Sequence, residues 1–471
     1  MGDHKDLKSL NEVYASINLN EFYDEDYCDY AIYRTLQRIP HIIDGFAQTQ
    51  RKVMYTCIDK NIITQNKVAD LASIVGLHTK YHHGNTSIET TITNMVPRYN
   101  NQIPLLQEDG TYGCRSEREA SASRYISTRL YKYSKIIFNE IDNKQFTKSQ
   151  SAEGKVIEPL FLIPVIPLLL INGQRQIGVG YSCNILPRDY KTIITIIKEV
   201  LTGKRSEIPK DIKPTMPLFK GDVYQEDNST SWSFKGILTL DVKKREVVIT
   251  EVPPKYNRES YLNYLTPLKE DYIKSINENI NGDEFYLKIK LQTNEKVDKV
   301  LKNDALYSLL GLIEQVGENI TVINTNDQIK RYDNIAEVLY EYIVYMIGIY
   351  KLRKQYILDK MQNDIIQNES LIKFIELVNS DQIILRNQKR DKVIEQIIFH
   401  KLSKVDDSYD YLLNSQIRSL TFEKIEELNQ KNQNLHKEYN ELVDTKPSMI
   451  WYQDIENFQT SFEKETKDKM L

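Results

Sequence analysis

Between Asn334 and Asn440 the chain is almost free of glycine and proline and is rich in Leu, Ile, Lys and Glu. The run "EVLYEYIVYMIGIYKLRKQYILDKMQNDIIQNESLIKFIELV" carries apolar residues at helical spacing over many turns. "FEKIEELNQKNQNLHKEYNEL" does the same further on. Two long amphipathic helices with a small helical segment between them predict an antiparallel coiled-coil hairpin. Such a hairpin cannot be the whole of a 471-residue chain, so several domains are expected.

The rest of the chain changes texture twice. The segment from Leu7 to about Tyr30 is polar and acidic and reads as an arm. From Ala31 to about Lys132 the pattern is mostly short helices. From Glu158 to about Tyr332, β-rich runs such as "GILTLDVKKREVVITEVPP" and "EFYLKIKLQ" alternate with short helices, which places this region among α/β or α+β folds. In "NTSIETTITNMV", Thr86 and Glu89 have capping-box spacing, and Ile88, Ile92, Met95 and Val96 fall on one helical face. "SERE" (Ser116 to Glu119) repeats the capping spacing and predicts a short Ala/Ser-rich helix ending near Arg124. After it, Ile126, Thr128 and Leu130 alternate with Ser127 and Arg129. A strand there puts Tyr125, Ser127 and Arg129 on one face; a helix continuing to Tyr133 is the competing reading. "PLFLIPVIPLLLI" holds three prolines and is too short to span a bilayer, so it reads as buried core.

The net charge of −4 gives no global attraction to nucleic acid, so any DNA binding needs a local basic surface. Four isolated cysteines without a CxxC pair argue against a disulfide framework or zinc ribbon and fit a reducing compartment. The polar start "MGDHKDLKSLN" does not read as a signal peptide, and Asp6 stands where a myristoylation signal needs Ser or Thr.

Several stretches could carry chemistry. "YHHGN" sets His82, His83 and Gly84 just before the helix containing Thr86. Free N–H groups at a helix start bind phosphate, and glycine permits close backbone approach. A surface turn, or metal ligation with His78 added, are the alternatives. "RIPHIIDGFAQTQRKVMY" carries Arg38, Arg51 and Lys52, either as DNA contacts or as a solvated charged face. "INGQRQIGVGYS" places Arg175 and Ile177 at a glycine-flanked turn; an apolar residue held out there can wedge between base pairs. Arg129 lies on the proposed strand face. Tyr125 is one of 31 tyrosines. A phenol is a poor nucleophile at neutral pH unless a cation or base assists it. The preceding Arg124 brings fixed positive charge and a donor fork matched to phosphate.

Taken in order, "RIPHIIDGFAQTQRKV", "YHHGNTSIETTI", "NNQIPLLQEDGTYGCRSEREASASRYISTRL", "EPLFLIPVIPLLLINGQRQIGVGYSCNILPRD", "ITEVPPKYNRESY" and "YLLNSQIRSLT" resemble the DNA breakage-reunion part of type IIA topoisomerases. The resemblance runs from about Asp29 to Thr421, and the layout is most like the separate short subunits that phages encode. It implies an α+β multidomain chain: an arm (1–30), a winged-helix (helix-turn-helix) DNA-binding domain with the catalytic tyrosine (31–155), an α/β tower domain (156–335), and a long antiparallel coiled coil with a helical dimerisation gate (336–471). Tyr125 matches the family's nucleophile and Arg124 the arginine before it. His82, His83 and Gly84 match its His-His-Gly motif, Arg38 the arginine before the "IP" turn, and Ile177 its DNA-wedging isoleucine. The family's Gly before the wedge is Gln176 here, and its Lys-Pro is Ala47-Gln48.

The same resemblance implies double-stranded DNA as substrate and a homodimer as the working form. It implies a large partner subunit that carries the ATPase, binds ATP and holds most of the Mg²⁺, with no metal site in this chain. A cytoplasmic location is expected, that of the host cell if a phage encodes the chain. A non-catalytic DNA-binding or architectural protein of the same fold is the alternative. A tyrosine recombinase, which needs several arginines and a histidine around a C-terminal tyrosine, fits less well.

Overall fold

The computed structural model describes residues 23–226, 231–302, 305–386, 388–405, 408–414 and 422–467. The expected arm up to residue 22, and the 415–421 part of "YLLNSQIRSLT", lie outside them. The chain forms two compact units. One comprises residues up to 345 together with those from 454 onward, and the other residues 346–453.

In the first unit four helices open the fold: α1 (Cys28–Arg38), α2 (Gln48–Asp59), α3 (Val68–His78) and α4 (Asn85–Met95). Helix α4 buries the face read from its spacing, with Ile88, Ile92, Met95 and Val96 all in the core. Its start differs from the expected capping box. Gly84 is the N-cap and Thr86 lies inside the first turn, so no side chain caps the helix. The four helices pack beside a small antiparallel sheet of β1 (Asn66–Lys67), β2 (Leu106–Asp109) and β3 (Ser127–Leu130), in the order β1-β3-β2. Strand β3 follows the alternation in its sequence: Thr128 and Leu130 are buried, while Ser127 and Arg129 are half-exposed.

The helix expected over Ser116 to Arg124 does not form; this stretch is irregular apart from a turn at Ser123–Tyr125. Its backbone groups find partners elsewhere. The Ser116 N–H donates to Gly282 O, Ser121 N–H to Thr111 O, and the Ser123 carbonyl accepts from Ala69 N. Local helix preference is weak compared with a set of tertiary hydrogen bonds and a buried arginine, so tertiary context overrides it.

The apolar run predicted as core is buried except at Leu160, which is exposed; Pro159 and every residue from Phe161 to Ile171 are buried. A Cβ at Gly45 would fall 2.6 Å from the Leu169 backbone, and Gly45 has φ +71°, so only glycine allows the α1–α2 connection to cross this run.

Residues 222–332 supply the expected strand-rich region. A four-stranded antiparallel sheet is ordered Ile237–Asp241, Glu246–Glu251, Leu287–Leu291, Ile273–Glu278. Its inner face buries Val247, Ile249, Leu287 and Ile289. A second sheet pairs Ile313–Gly317 and Asp222–Gln225 on either side of Ser231–Lys235. A hairpin of Gln174–Ile177 and Ser182–Ile185 forms its own two-stranded sheet, bridged through Asn184 to Asn319.

The second unit holds most of the helix Ile335–Asn379 and all of Phe422–Asp444. They run antiparallel: Lys354 Nζ donates to Val443 O and Thr445 O, Asn368 Nδ2 to Asn432 Oδ1 at 3.1 Å, and Ile375 packs with Ile425 and Leu428. Between them a small helical globule buries Phe374, Ile383, Val393, Ile397, Leu402 and Leu412. The expected segment 336–471 is not one compact body. The last helix, Pro447–Lys467, belongs to the first unit from Asp454 onward, where Phe458 and Phe462 meet Tyr133 edge-on. Aromatic burial decides where this helix packs.

Candidate nucleic-acid interface

Tyr125 sits at the end of the 123–125 turn, one residue before the buried Ile126 and two before strand β3. The strand anchors the backbone and the turn projects the ring outward. Tyr125 is 73% exposed, more than any other tyrosine among the described residues. The Arg124 guanidinium lies 5.0 Å from the centre of its ring. The tyrosines around it serve packing. Burial raises the phenols of Tyr112 and Tyr133, and Tyr112 Oη donates to the carbonyl of Ser127 at 2.8 Å. An unburied phenol beside a fixed cation is an arrangement suited to meet a phosphate.

A cavity of this unit has a volume of about 970 Å³. Arg38, exposed at the end of α1, and Arg175 line it, with Ser87, Thr90, Thr91 and Asn94 from the polar face of α4. Arg118 and Lys255 also line it. These two are invisible to sequence reasoning: both lie in motifs quoted above, but nothing in their spacing marks them. A smaller depression, lined by Glu89, Thr93, Glu119, Ser121 and Ser123, lies beside the Tyr125 turn, and Thr90 belongs to both. His82, His83 and Thr86 are exposed at the start of α4, and the space around a Cβ at Gly84 is open within 4 Å. No packing contact there requires glycine.

The hairpin expected to hold out Ile177 forms with Gln176 in place. Strand alternation turns Gln174 and Gln176 inward and Arg175 and Ile177 outward. Gln174 Nε2 donates to Gly45 O at 3.0 Å and Gln50 Oε1 at 2.6 Å, and Gln176 Nε2 reaches Gln174 Oε1 at 3.4 Å. Gly178 N–H closes the turn onto Tyr181 O, and Thr35 of α1 exchanges hydrogen bonds with both N–H and C=O of Val179. Ile177 is left 74% exposed.

Two expected contacts are corrected. Arg51 and Lys52 are only 6% and 4% exposed. Arg51 pairs with Asp44 through Nε at 2.6 Å and Nη2 at 3.1 Å; Lys52 Nζ lies 2.7 Å from Glu158 Oε1. Both cations face buried carboxylates instead of solvent, because the helix turns this face of α2 into the core. Burial raises the Glu158 carboxyl above its usual range while the Lys52 ammonium pulls it back down. Arg129 is half-buried, with Nε on Gln107 Oε1 at 3.0 Å.

His78, the third residue of the metal alternative, faces Asp59 at 3.2 Å and stacks on Tyr55. Among the described residues no group of three or more His, Cys, Asp or Glu is placed to hold a metal ion. No helix among them is long and apolar enough to cross a membrane.

An exposed arginine–tyrosine turn and an arginine-lined cleft are thus set on a fold of mixed helix and strand, and similarity to known proteins gives its class. Residues 38–456 match the family model for the A subunit of DNA gyrase/topoisomerase IV, and the chain belongs to that family. It is 30% identical over 433 residues to the DNA topoisomerase medium subunit of Enterobacteria phage T4, covering 87% of this chain and 92% of that protein. It is also 30% identical over 515 residues to DNA topoisomerase 2 of Plasmodium falciparum, covering 98% of this chain but 35% of that protein. The chain thus spans about a third of the length of the DNA topoisomerase 2 relatives it matches. The crystal structure of the Plasmodium falciparum topoisomerase II DNA-binding, cleavage and re-ligation domain superposes with a TM-score of 0.83 at 28% identity, covering 96% of this chain and 65% of that one.

Proposed function

We propose that the chain is the DNA breakage-reunion part of a type IIA topoisomerase and that Tyr125 is its nucleophile. The phenol oxygen attacks a backbone phosphate and bonds to phosphorus. The 3′ oxygen leaves and takes up the proton, and the DNA 5′ end stays linked to Tyr125. Attack by the 3′ hydroxyl reverses the step and reseals the strand. Arg124 stabilises the charge that builds on the phosphate oxygens. Arg38 and Arg175, with His82, His83, Gly84 and Thr86 at the start of α4, hold the duplex by its phosphates, and Ile177 unstacks a base step. Arg129, half-exposed on the strand that follows Tyr125, adds a further DNA contact. The observation that carries this reading is the exposed Tyr125 ring with the Arg124 guanidinium against it.

In this reading the α1–α4 and β1–β3 module is the winged-helix domain, the strand-rich region the tower, and the 346–453 unit the coiled coil with its dimerising gate. Phe399 is 80% exposed on the small globule, beside exposed Ile398. Apolar side chains so placed suit a twofold contact with a second copy. Two Tyr125 side chains then cut the two strands. Mg²⁺ and ATP come with a larger partner subunit. The enzyme works in a cytoplasm, the host cell's if a phage encodes it.

The test is to quench the DNA reaction with denaturant, in the presence of the partner subunit, and identify the DNA-linked peptide. The link is expected on Tyr125, and Tyr125→Phe should bind duplex normally yet leave no adduct. An adduct on another tyrosine, or undiminished strand passage by Tyr125→Phe, returns the chain to the class of DNA-binding proteins that share the fold without the chemistry.

A further inference from the structure

The loop that presents Tyr125 is held in its middle by a distant part of the chain. Arg115 is 7% exposed and forms a two-pronged pair with Glu251: Nη2 to Oε1 at 2.5 Å and Nη1 to Oε2 at 3.1 Å. Its Nη1 also donates to Leu218 O, and its guanidinium lies 5.4 Å from the centre of the Phe285 ring. The Arg115 N–H donates to Asp283 Oδ1 at 2.8 Å. Glu251 is itself fully engaged, accepting also from Lys220 N and Val252 N. Three residues on, Arg118 Nη2 donates to Pro254 O at 2.6 Å and Tyr256 O at 3.0 Å. The hexapeptide Glu251–Tyr256 therefore ties down both arginines. The same hexapeptide forms part of the cleft, since Pro254 and Lys255 line it and the Lys255 N–H is held by Glu314 Oε2.

We propose that Arg115 and Arg118 are positioning residues through which the Glu251–Tyr256 segment, a wall of the cleft, sets the loop that aims Tyr125. This rests on the reading of Tyr125 as nucleophile. A loop with no regular structure between Gly110 and Ser123 would otherwise leave the phenol to sample many positions. Two arginines fixed on one strand end and the turn that follows it remove that freedom. A duplex that presses on the 254–255 wall shifts the same backbone that carries the arginine partners, so occupation of the cleft and placement of the nucleophile are linked.

The test uses the complex with its ATPase- and metal-bearing partner and measures, at saturating duplex, the rate of adduct formation on Tyr125, together with DNA affinity and hydrogen exchange of the Ser121 and Tyr125 amides. Four variants are compared: Glu251→Gln, Arg115→Met, Arg115→Lys and Asp283→Ala. Asp283 is exposed, so its replacement leaves the core intact and provides the readout if the buried variants do not fold. A misplacement of about 1 Å costs on the order of 100-fold in rate, so falls of roughly tenfold or more are expected for Glu251→Gln and Asp283→Ala. DNA half-saturation should be unchanged, amide exchange faster, and Arg115→Lys better than Arg115→Met. If the wild type forms no adduct, the reading of Tyr125 fails. If the wild type does and Asp283→Ala matches it in saturated rate, or loses only affinity, the positioning role is overturned.

Discussion

Lys52→Met separates a structural cation from a DNA-binding one. Lys52 Nζ lies 2.7 Å from Glu158 Oε1 and donates to Glu158 Oε2 at 2.8 Å and Thr79 O at 2.9 Å, while Glu158 is 0% exposed. Methionine fills the same space but leaves that carboxylate with Gln48 Nε2 at 3.5 Å as its side-chain donor. Removing one partner of a buried pair costs about 3–5 kcal/mol, and replacing both by apolar groups is often near neutral. Urea unfolding should show a loss of that order in Lys52→Met and recovery of most of it in Lys52→Met/Glu158→Leu. The deficit should depend on pH. Burial already raises the Glu158 carboxyl, and removing the Lys52 ammonium raises it further. The folded state then binds the proton more tightly than the unfolded one. The corresponding stability is present below the unfolded pKa and is lost as pH rises through the raised folded value. The variant should therefore be worst near neutrality and approach the wild type on acidification. A lysine on phosphate behaves otherwise: its removal lowers the slope of log K against log salt by about 0.9. Duplex titration by fluorescence anisotropy across salt should give an unchanged slope. Unchanged stability together with a slope lower by about one would refute the burial argument and return Lys52 to the DNA surface.

Ile177→Ala should reduce DNA bending and cleavage more than binding at low salt, because unstacking a step costs a few kcal/mol that only the bend recovers; energy transfer between dyes on the duplex ends reads the angle. Phe399→Glu, at an 80% exposed site, should leave the melting of the monomer within about 0.5 kcal/mol of the wild type while weakening self-association in sedimentation equilibrium. His41 is buried, stacked on Phe161 at 4.1 Å, and burial with Arg51 and Lys148 nearby holds its pKa well below 6.5. A depressed folded pKa means that stability present above pH 6.5 is lost as pH falls toward the folded value, so His41→Gln should flatten the acid limb of the stability profile.

Periodicity made much of the architecture legible. The helix pair, the buried 161–171 run, strand β3 and the inner face of α4 each repeat a one-dimensional pattern over several residues, and each forms where that pattern places it. Motif order was enough to indicate the family that the match over residues 38–456 then showed. Tyr125 and Ile177 also lie exposed, because a strand anchor and a glycine-flanked hairpin are local features.

What failed were statements whose truth depends on residues far away in the chain. Thr86 and Ser116 have the spacing of helix caps, yet α4 starts at Asn85 and no helix starts at Ser116, where the backbone hydrogen-bonds across to Gly282. Lys52 reads as a surface cation until Glu158, more than 100 residues away, meets it inside the core; Arg51 beside it is buried on Asp44, a near neighbour in the chain that only the packing of this face of α2 turns inward. The link from Arg115 to Glu251 spans 136 positions and leaves no periodic trace. A sequence determines by itself what repeats along the chain, because side chains three, four or two residues apart are forced onto a common face by backbone geometry. Which charges are buried, and which loops are held still, only the tertiary structure decides, because a carboxylate acts on whatever cation the fold brings within a few ångströms.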